Sequence, residues 1–465
     1  MSLFFWGGFG QLKAFVALGV WGFWWSFRWL GLWVDMLISA GWEKPEYRAS
    51  WPGPFRFWHP RSRTVFYPEG ETPSMTESAN ANIADYYTAE TFERIKAFAD
   101  TRETPFVVID TATIDRQYDE LVEGFPYANV YYAVKANPAP QVLTMLRDKG
   151  ASFDIASVYE LEKVMGLGVT GDRISYGNTI KKARDIRTFY EKGVRMFATD
   201  SEADLRVIAK AAPGAKVYVR ILTDGTQTAD WPLSRKFGCE SDMAMDLLIL
   251  ARDLGLVPYG VSFHVGSQQR EIGAWDSALN KVKVIFERLK EEDGIELKMI
   301  NMGGGFPANY INRTNELGVY ASEITRFLKE DFGDDLPEII IEPGRSLISN
   351  AGVLVSEVVL IARKSRTALH RWVFTDVGKF NGLIETLDEA IKFPIWTDKK
   401  GEGEDCVIAG PTCDSADIMY EHHKYPLPLN LAIGDRMYWL STGAYTTTYS
   451  AVEFNGFPPL KDYYI

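Results

Sequence analysis

From residue 105 onward, short apolar runs alternate along the chain with longer amphipathic ones. VYYAVKA (130–136), FDIAS (153–157), ISYGN (174–178), MFATDS (196–201), KVYVRIL (216–222), YGVSFHVG (259–266), MINMGGG (299–305) and EIIIEPG (338–344) are rich in β-branched and aromatic residues and have strand length. Between them, segments such as APQVLTMLRDKG, VYELEKVMGLG, SEADLRVIAKAA and DMAMDLLILARDLG repeat apolar residues at helical spacing and stop at glycine or small residues. Eight strand-then-helix units over ~250 residues predict a (β/α)8 barrel. A doubly wound open sheet would carry a glycine fingerprint after its first strand, and none stands there. After Gly344 the rhythm changes. VLVSEVVLIARK, RWVFTDVG, DCVIAG and RMYWLSTGAY read as strands with little helix between them, and 402–406 as an exposed loop. The expected organisation is an α/β barrel over 113–345 followed by an all-β domain over 346–465, with 75–112 packing against the latter.

Residues 1–74 have a different composition. Nine of the 14 tryptophans lie before residue 60, and from Leu3 to Trp42 only Lys13, Arg28 and Asp35 interrupt the apolar character. A membrane span needs ~20 apolar residues. Extending the run 14–27 to that length buries Arg28, at ~2.5–3.5 kcal/mol on insertion scales. No small-residue cleavage site follows, as a signal peptide would require. At Met75 the chain turns at once to helix-compatible, polar composition, and we favour a start there. Membrane contact would then arise only if 1–74 are translated.

Composition narrows the classes further. Hydrophobic residues at 46% and charged residues at 24% suit a globular chain with a sizeable core. A net charge of −12 argues against a nucleic-acid partner. Three scattered cysteines (Cys239, Cys406, Cys413) fit neither a disulfide framework nor a metal site, and suit a reducing, cytoplasmic compartment.

In a barrel, chemistry belongs at the carboxyl ends of the strands. The polar residues there are Lys135, Asp154, Asn178, Asp200, Arg220, His264 with Ser267, Gly303–Gly305, and Glu342 with Arg345. Lys135 stands in a run otherwise suited to burial. Either it has a carboxylate partner, or it is an amine activated by desolvation for Schiff-base chemistry. Gly303, Gly304 and Gly305 after the seventh strand, with Gly344 and Arg345 after the eighth, form either tight turns or an anion cradle. A Schiff-base lysine beside a barrel phosphate site points to pyridoxal phosphate (PLP). Glu342 is then either a pair for Arg345 or the carboxylate at the pyridine nitrogen, and His264 either a core residue or a ring-stacking one.

YAVKAN (132–137), FDIAS (153–157), SFHVGS (262–267), NMGGGFP (301–307), EPGR (342–345), GPTCDSAD (410–417) and GAYT (443–446) together resemble the PLP-dependent ornithine/lysine/diaminopimelate/arginine decarboxylases, from about residue 100 to the end. The resemblance implies that Lys135 carries the Schiff base, Glu342 faces the ring nitrogen and His264 stacks on the ring. Ser267, Gly305, Arg345 and Tyr445 would hold the phosphate, and Asp154 and Arg220 would join the network around lysine and ring. It further implies a homodimer with shared sites. Cys413, Asp414 and Tyr445 of one subunit would enter the site of the other, and Lys236 and Asp417 would pair between subunits. Cys413, otherwise readable as a small buried hydrophobe, would protonate Cα, and Asp414 would bind the distal ammonium of a basic amino acid. TCDSAD favours ornithine ahead of lysine, with diaminopimelate less favoured, and Glu385 is the nearest carboxylate for a second substrate contact. A catalytically inactive relative resembling antizyme inhibitors would lose the lysine, phosphate or cysteine positions, and all are retained.

Overall fold

The computed structural model describes residues 80–224, 228–232 and 236–465, so the expectations for 1–74 and for a start at Met75 lie outside the described residues. All eight expected barrel strands form: Ala128–Ala133, Ser152–Ile155, Ile174–Tyr176, Met196–Thr199, Lys216–Arg220, Val257–Ser262, Met299–Asn301 and Glu338–Ile341. They close into one parallel barrel, the eighth pairing with the first through Ile339–Ala128, Ile340–Asn129 and Ile341–Val130. Side chains alternate across each strand, as the two-residue period requires. Tyr131, Met196, Ala198, Tyr218, Met299 and Ile340 fill the barrel interior as a separate cluster. Val130, Tyr132, Phe197, Val217, Val219, Ile300 and Ile341 point outward into the main core under the helices.

The first barrel strand is preceded by the helix Thr111–Gly124, capped by the Asp110 side chain on Thr113 N–H. Before it, Phe106–Ile109 does not join the barrel. It pairs antiparallel with Gly352–Ala362 and parallel with Lys461–Tyr464, so both ends of the described chain enter the β-sheet. That sheet also contains Arg371–Thr375, Ile395–Trp396, Gly403–Ala409, Ile418–Pro428 and Arg436–Leu440.

The segment 402–406 is not the exposed loop expected. From Gly403 it is strand, Cys406 is fully buried, and Glu404 accepts from Arg363 and forms an ion pair with Arg371. One of the acidic residues that suggested a loop is thus paired with arginines of the same sheet region. Among the described residues no helix is long and apolar enough to cross a membrane.

The chain leaves the barrel through the short helix Arg345–Ile348, and the 443–445 segment docks against that exit. A Cβ on Gly443 would lie 1.9 Å from the Ile348 carbonyl oxygen, and one on Gly352 would lie 2.2 Å from Gly443 N. Real side chains cannot approach so closely, so these backbones touch only as glycines. Gly443→Ala should therefore cost ~1–3 kcal/mol in urea denaturation. Gly318→Ala, in a helix with nothing within 4 Å of the added carbon, should be neutral or stabilising. Equal stability of the two variants would remove the close-contact account.

Candidate active site

Lys135 follows the first barrel strand in the turn Val134–Ala136, with its side chain open to the barrel mouth. Desolvation works against its charge. Tyr445, Asp154 and Glu342 outweigh that, and the ammonium is held above its usual value while Arg220 opposes them. Two carboxyl groups thus face this lysine. Asp154 ends the second strand, buried, with the Ser175 hydroxyl 3.3 Å from Oδ1. Burial and then the charge of Glu342 raise its pKa far above the usual carboxylate range.

Glu342 is treated differently. Its Oε1 accepts from Asn301 Nδ2 at 2.5 Å. Asn301 Oδ1 accepts the Gly303 N–H at 2.9 Å, which fixes the direction of the amide. The amide thus orients the Glu342 carboxyl group. Asn301 was not singled out from the sequence. Its signal was a polar residue immediately before the glycine run, at the end of the seventh strand.

Arg220 ends the fifth strand, and its guanidinium lies 5.1 Å from the Phe237 ring centroid. Desolvation lowers its pKa, against the attraction of Glu342, Asp154 and Asp200. Asp200 also accepts the Gly238 N–H at 2.8 Å, pinning the loop that carries Phe237. Asn178 makes turn bonds to Ala156 and Ile180.

The glycine run is pressed flat against its neighbours. Added Cβ atoms would lie 2.3 Å from the Phe263 carbonyl oxygen at Gly303, 2.6 Å from that of Glu342 at Gly304, and 2.7 Å from that of Gly266 at Gly305. Gly303 and Gly305 also have φ of +63° and +108°, which favour glycine. Beside them Arg345 is fully buried. Its Nε donates to Ser267 Oγ at 3.0 Å, and Nη1 donates to the Tyr310 hydroxyl at 2.8 Å. Tyr445 lies over the same guanidinium, 4.9 Å from ring centroid to charge, and a Cβ on Gly344 would lie 3.1 Å from its hydroxyl. His264 Nδ1 accepts the Gly266 N–H at 3.1 Å. Burial, reinforced by the charges of Arg220, Lys135 and Arg345, pushes its pKa well below the usual imidazole value, so it is neutral with its proton on Nε2.

Two expected placements change, those of Tyr445 and Glu385. Tyr445 belongs to the barrel mouth of its own chain, where its N–H donates to the Ala136 carbonyl at 2.9 Å; the Gly352–Gly443 contact brings it there. Glu385 is buried, with both oxygens on Arg345 at 2.5 and 2.7 Å, so its carboxylate is turned to the arginine. Asp417 is buried too. It accepts from Lys379 N–H (2.8 Å), Thr412 N–H (3.1 Å) and the Thr412 hydroxyl (2.7 Å), enclosed by Gly378 and Gly410. These bonds all lie within one chain, in which the Lys236 ammonium lies 5.1 Å from the Phe237 ring. Cys413 and Asp414 sit exposed on the loop that Asp417 closes. Cys413 N–H donates to Asn455 (2.9 Å), and Asp414 accepts from Ala416 N–H (2.8 Å).

A lysine amine, a glutamate, a neutral histidine and a side-chain-free loop beside a buried arginine and hydroxyls fit PLP; the first three would hold its ring and the last its phosphate. Fold and site together define a PLP-dependent barrel protein. The model for the pyridoxal-binding domain of pyridoxal-dependent decarboxylases matches residues 111–349. A lysine/ornithine decarboxylase from Selenomonas ruminantium is 34% identical over 366 residues, covering 78% of this chain and 90% of that protein. Antizyme inhibitor 2 from Xenopus laevis is 32% identical over 374 residues, covering 76% and 79%. A solved structure of the Selenomonas ruminantium lysine decarboxylase with PLP and cadaverine is 31% identical, with a TM-score of 0.73 over 82% of this chain and 94% of that one. The chain belongs to the pyridoxal-dependent ornithine/lysine decarboxylase family, and its cofactor is PLP.

The neutrality of His264 has a measurable consequence. As pH falls below ~6.5 the unfolded chain protonates this histidine while the folded chain does not. Acidification therefore costs stability, with a slope approaching ~1.4 kcal/mol per pH unit from this residue. His264→Gln should lack that component when urea denaturation is compared at pH 7.5 and 5.5. An identical pH dependence in both proteins would show that His264 ionises normally in the fold.

Proposed function

We propose that this protein decarboxylates L-ornithine to putrescine and CO2. The observation that carries the reading is the pair Cys413–Asp414, exposed on a braced loop and engaged only with its own β-domain among the described residues. In a homodimer such a loop can complete the barrel site of a second copy. Asp414 then offers a carboxylate to the distal ammonium of a basic amino acid, and Cys413 a thiol near the reacting carbon.

PLP supplies an aldehyde for the substrate amine and a ring that withdraws the electron pair freed when CO2 leaves. The chain supplies the rest. Lys135 holds the cofactor and exchanges with the substrate amine. Glu342, oriented by Asn301, holds the proton at the ring nitrogen. His264 is neutral, so it covers the ring face without repelling its positive charge. Gly303–Gly305, Gly344, Ser267, Arg345 and Tyr445 anchor the phosphate, and Asp154 and Arg220 frame the lysine. The Cys413 thiol gives its proton to Cα.

A dual lysine/ornithine activity is the second reading. With Glu385 turned to Arg345, chain length would be measured by Asp414 alone, a weaker filter against one extra methylene. A non-catalytic, antizyme-inhibitor-like role is disfavoured because Lys135, Arg345 and Cys413 are all present.

CO2 release and amine product should be measured side by side with L-ornithine, L-lysine, L-arginine and meso-diaminopimelate. Putrescine as dominant product is expected. Cadaverine at a comparable rate would favour the dual reading, and activity on diaminopimelate alone would overturn both. Lys135→Ala should abolish turnover and the visible absorbance of bound cofactor. Cys413→Ala should keep that absorbance yet divert product from amine to aldehyde. Normal amine yield in that variant would remove Cys413 from its role.

A further inference from the structure

The environment of Arg345 is more specific than a phosphate-binding arginine requires. A guanidinium has five N–H donors. Nε donates to Ser267 Oγ, the two hydrogens of Nη1 are taken by the Tyr310 hydroxyl and Glu385 Oε2, and one of Nη2 by Glu385 Oε1. Four donors are thus engaged and one, on Nη2, is left. The forked face that normally grips an oxyanion with two parallel bonds is occupied by Glu385. Toward a phosphate, Arg345 can offer one N–H, next to the Ser267 hydroxyl that it orients.

Both partners of this pair are 3% exposed. A buried arginine without a partner is strongly unfavourable, and one held only by hydroxyls could turn about its terminal bonds. Glu385 removes both problems. It lies in the segment Ile384–Glu389 of the β-domain, whereas Arg345 leaves the eighth barrel strand, so the pair also fixes the phosphate end of the barrel to the sheet.

We propose that Glu385 is a positioning residue for the cofactor. It holds the plane and charge of Arg345 so that one N–H and the Ser267 hydroxyl meet the phosphate, and it makes no contact with substrate. The inference rests on Arg345 holding the phosphate, as read above. It places the effect of Glu385 on PLP affinity and not on substrate affinity.

The test is titration of PLP-stripped protein with PLP, followed by the cofactor's visible absorbance, together with KM for L-ornithine or L-lysine at saturating PLP. Glu385→Gln keeps one acceptor but sets an amide donor against the guanidinium. It should weaken PLP binding by ~tenfold or more, about 1.4 kcal/mol, and leave KM within ~twofold. Tyr310→Phe, which removes one acceptor of Nη1 and keeps the ring, should weaken PLP by a smaller factor, ~two- to fivefold. A purely structural role would lower the unfolding temperature without separating PLP affinity from KM. Unchanged PLP affinity with a raised KM in Glu385→Gln would overturn the inference and return Glu385 to the substrate. Tighter PLP binding would also overturn it, showing that the carboxylate competes with the phosphate. If Glu385→Gln does not fold, Tyr310→Phe decides, and unchanged PLP affinity there counts against the inference. Arg345→Ala separates the two readings. Unchanged PLP affinity there removes the phosphate assignment and this inference with it, whereas loss in Arg345→Ala without loss in Glu385→Gln overturns this inference alone.

Discussion

The seam between the first and eighth barrel strands decides what the mouth of this barrel contains. Its pairing runs from Ala128–Ile339 to Val130–Ile341 and is extended by the Ala133 N–H, which donates to the Pro343 carbonyl at 3.1 Å. With that register fixed, the residues just beyond the two strands are neighbours. Lys135 therefore stands beside Glu342, Gly344 and Arg345, although ~200 residues separate them in sequence. The same seam leaves the chain at Arg345 pointing out of the barrel, where Gly443 can pack on Ile348 and Tyr445 can reach back to Ala136. A slip of one residue would send each of these side chains to the opposite face.

Around that seam, burial sorts the ionisable groups into those that keep charge and those that lose it. Asp154 and Glu342 both act on Lys135, yet their partners differ. Asp154 has a single hydroxyl at long range and burial raises its pKa, whereas Glu342 receives a short bond from an amide that cannot reverse. Burial, with the charges of Arg220, Lys135 and Arg345, lowers the pKa of His264, and the Glu385 carboxylate raises that of Arg345 against burial.

The barrel was legible in the sequence because its signals are local. Each strand run is bounded by helical periodicity, and the chemistry sits where strands end. The β-domain was harder to read. Ile418–Pro428 carries Glu421, His422, His423 and Lys424 in its middle, and Phe106–Ile109 and Lys461–Tyr464 become strands only by pairing with segments far away. The misplaced site residues have a common cause. For Glu385 and Tyr445 the residue type was informative, but the role depends on a partner that only the tertiary fold brings near. Asn301 was missed for the same reason: an asparagine at a strand end gains meaning only when Gly303 and Glu342 fix both ends of its amide.

Asp417 shows what such a partner does for function. Its carboxylate ties Thr412 to Lys379 across a backbone approach that Gly378 and Gly410 alone permit, since Cβ atoms there would lie 2.1 and 2.4 Å from its oxygens. The loop it closes holds Cys413 and Asp414 at its tip; Asn455 accepts the Cys413 N–H, and the Asp414 side chain accepts the Ala416 N–H. A flexible loop would lose part of its binding free energy to ordering whenever it entered a neighbouring site. A loop already braced by a buried carboxylate avoids that loss. The acid in GPTCDSAD therefore acts inward, and its work is to present the thiol and the carboxylate before it in one fixed arrangement. The barrel and the β-domain accordingly have separate tasks. The barrel carries the residues that fit the cofactor, and the β-domain holds Cys413 and Asp414 exposed on a braced loop.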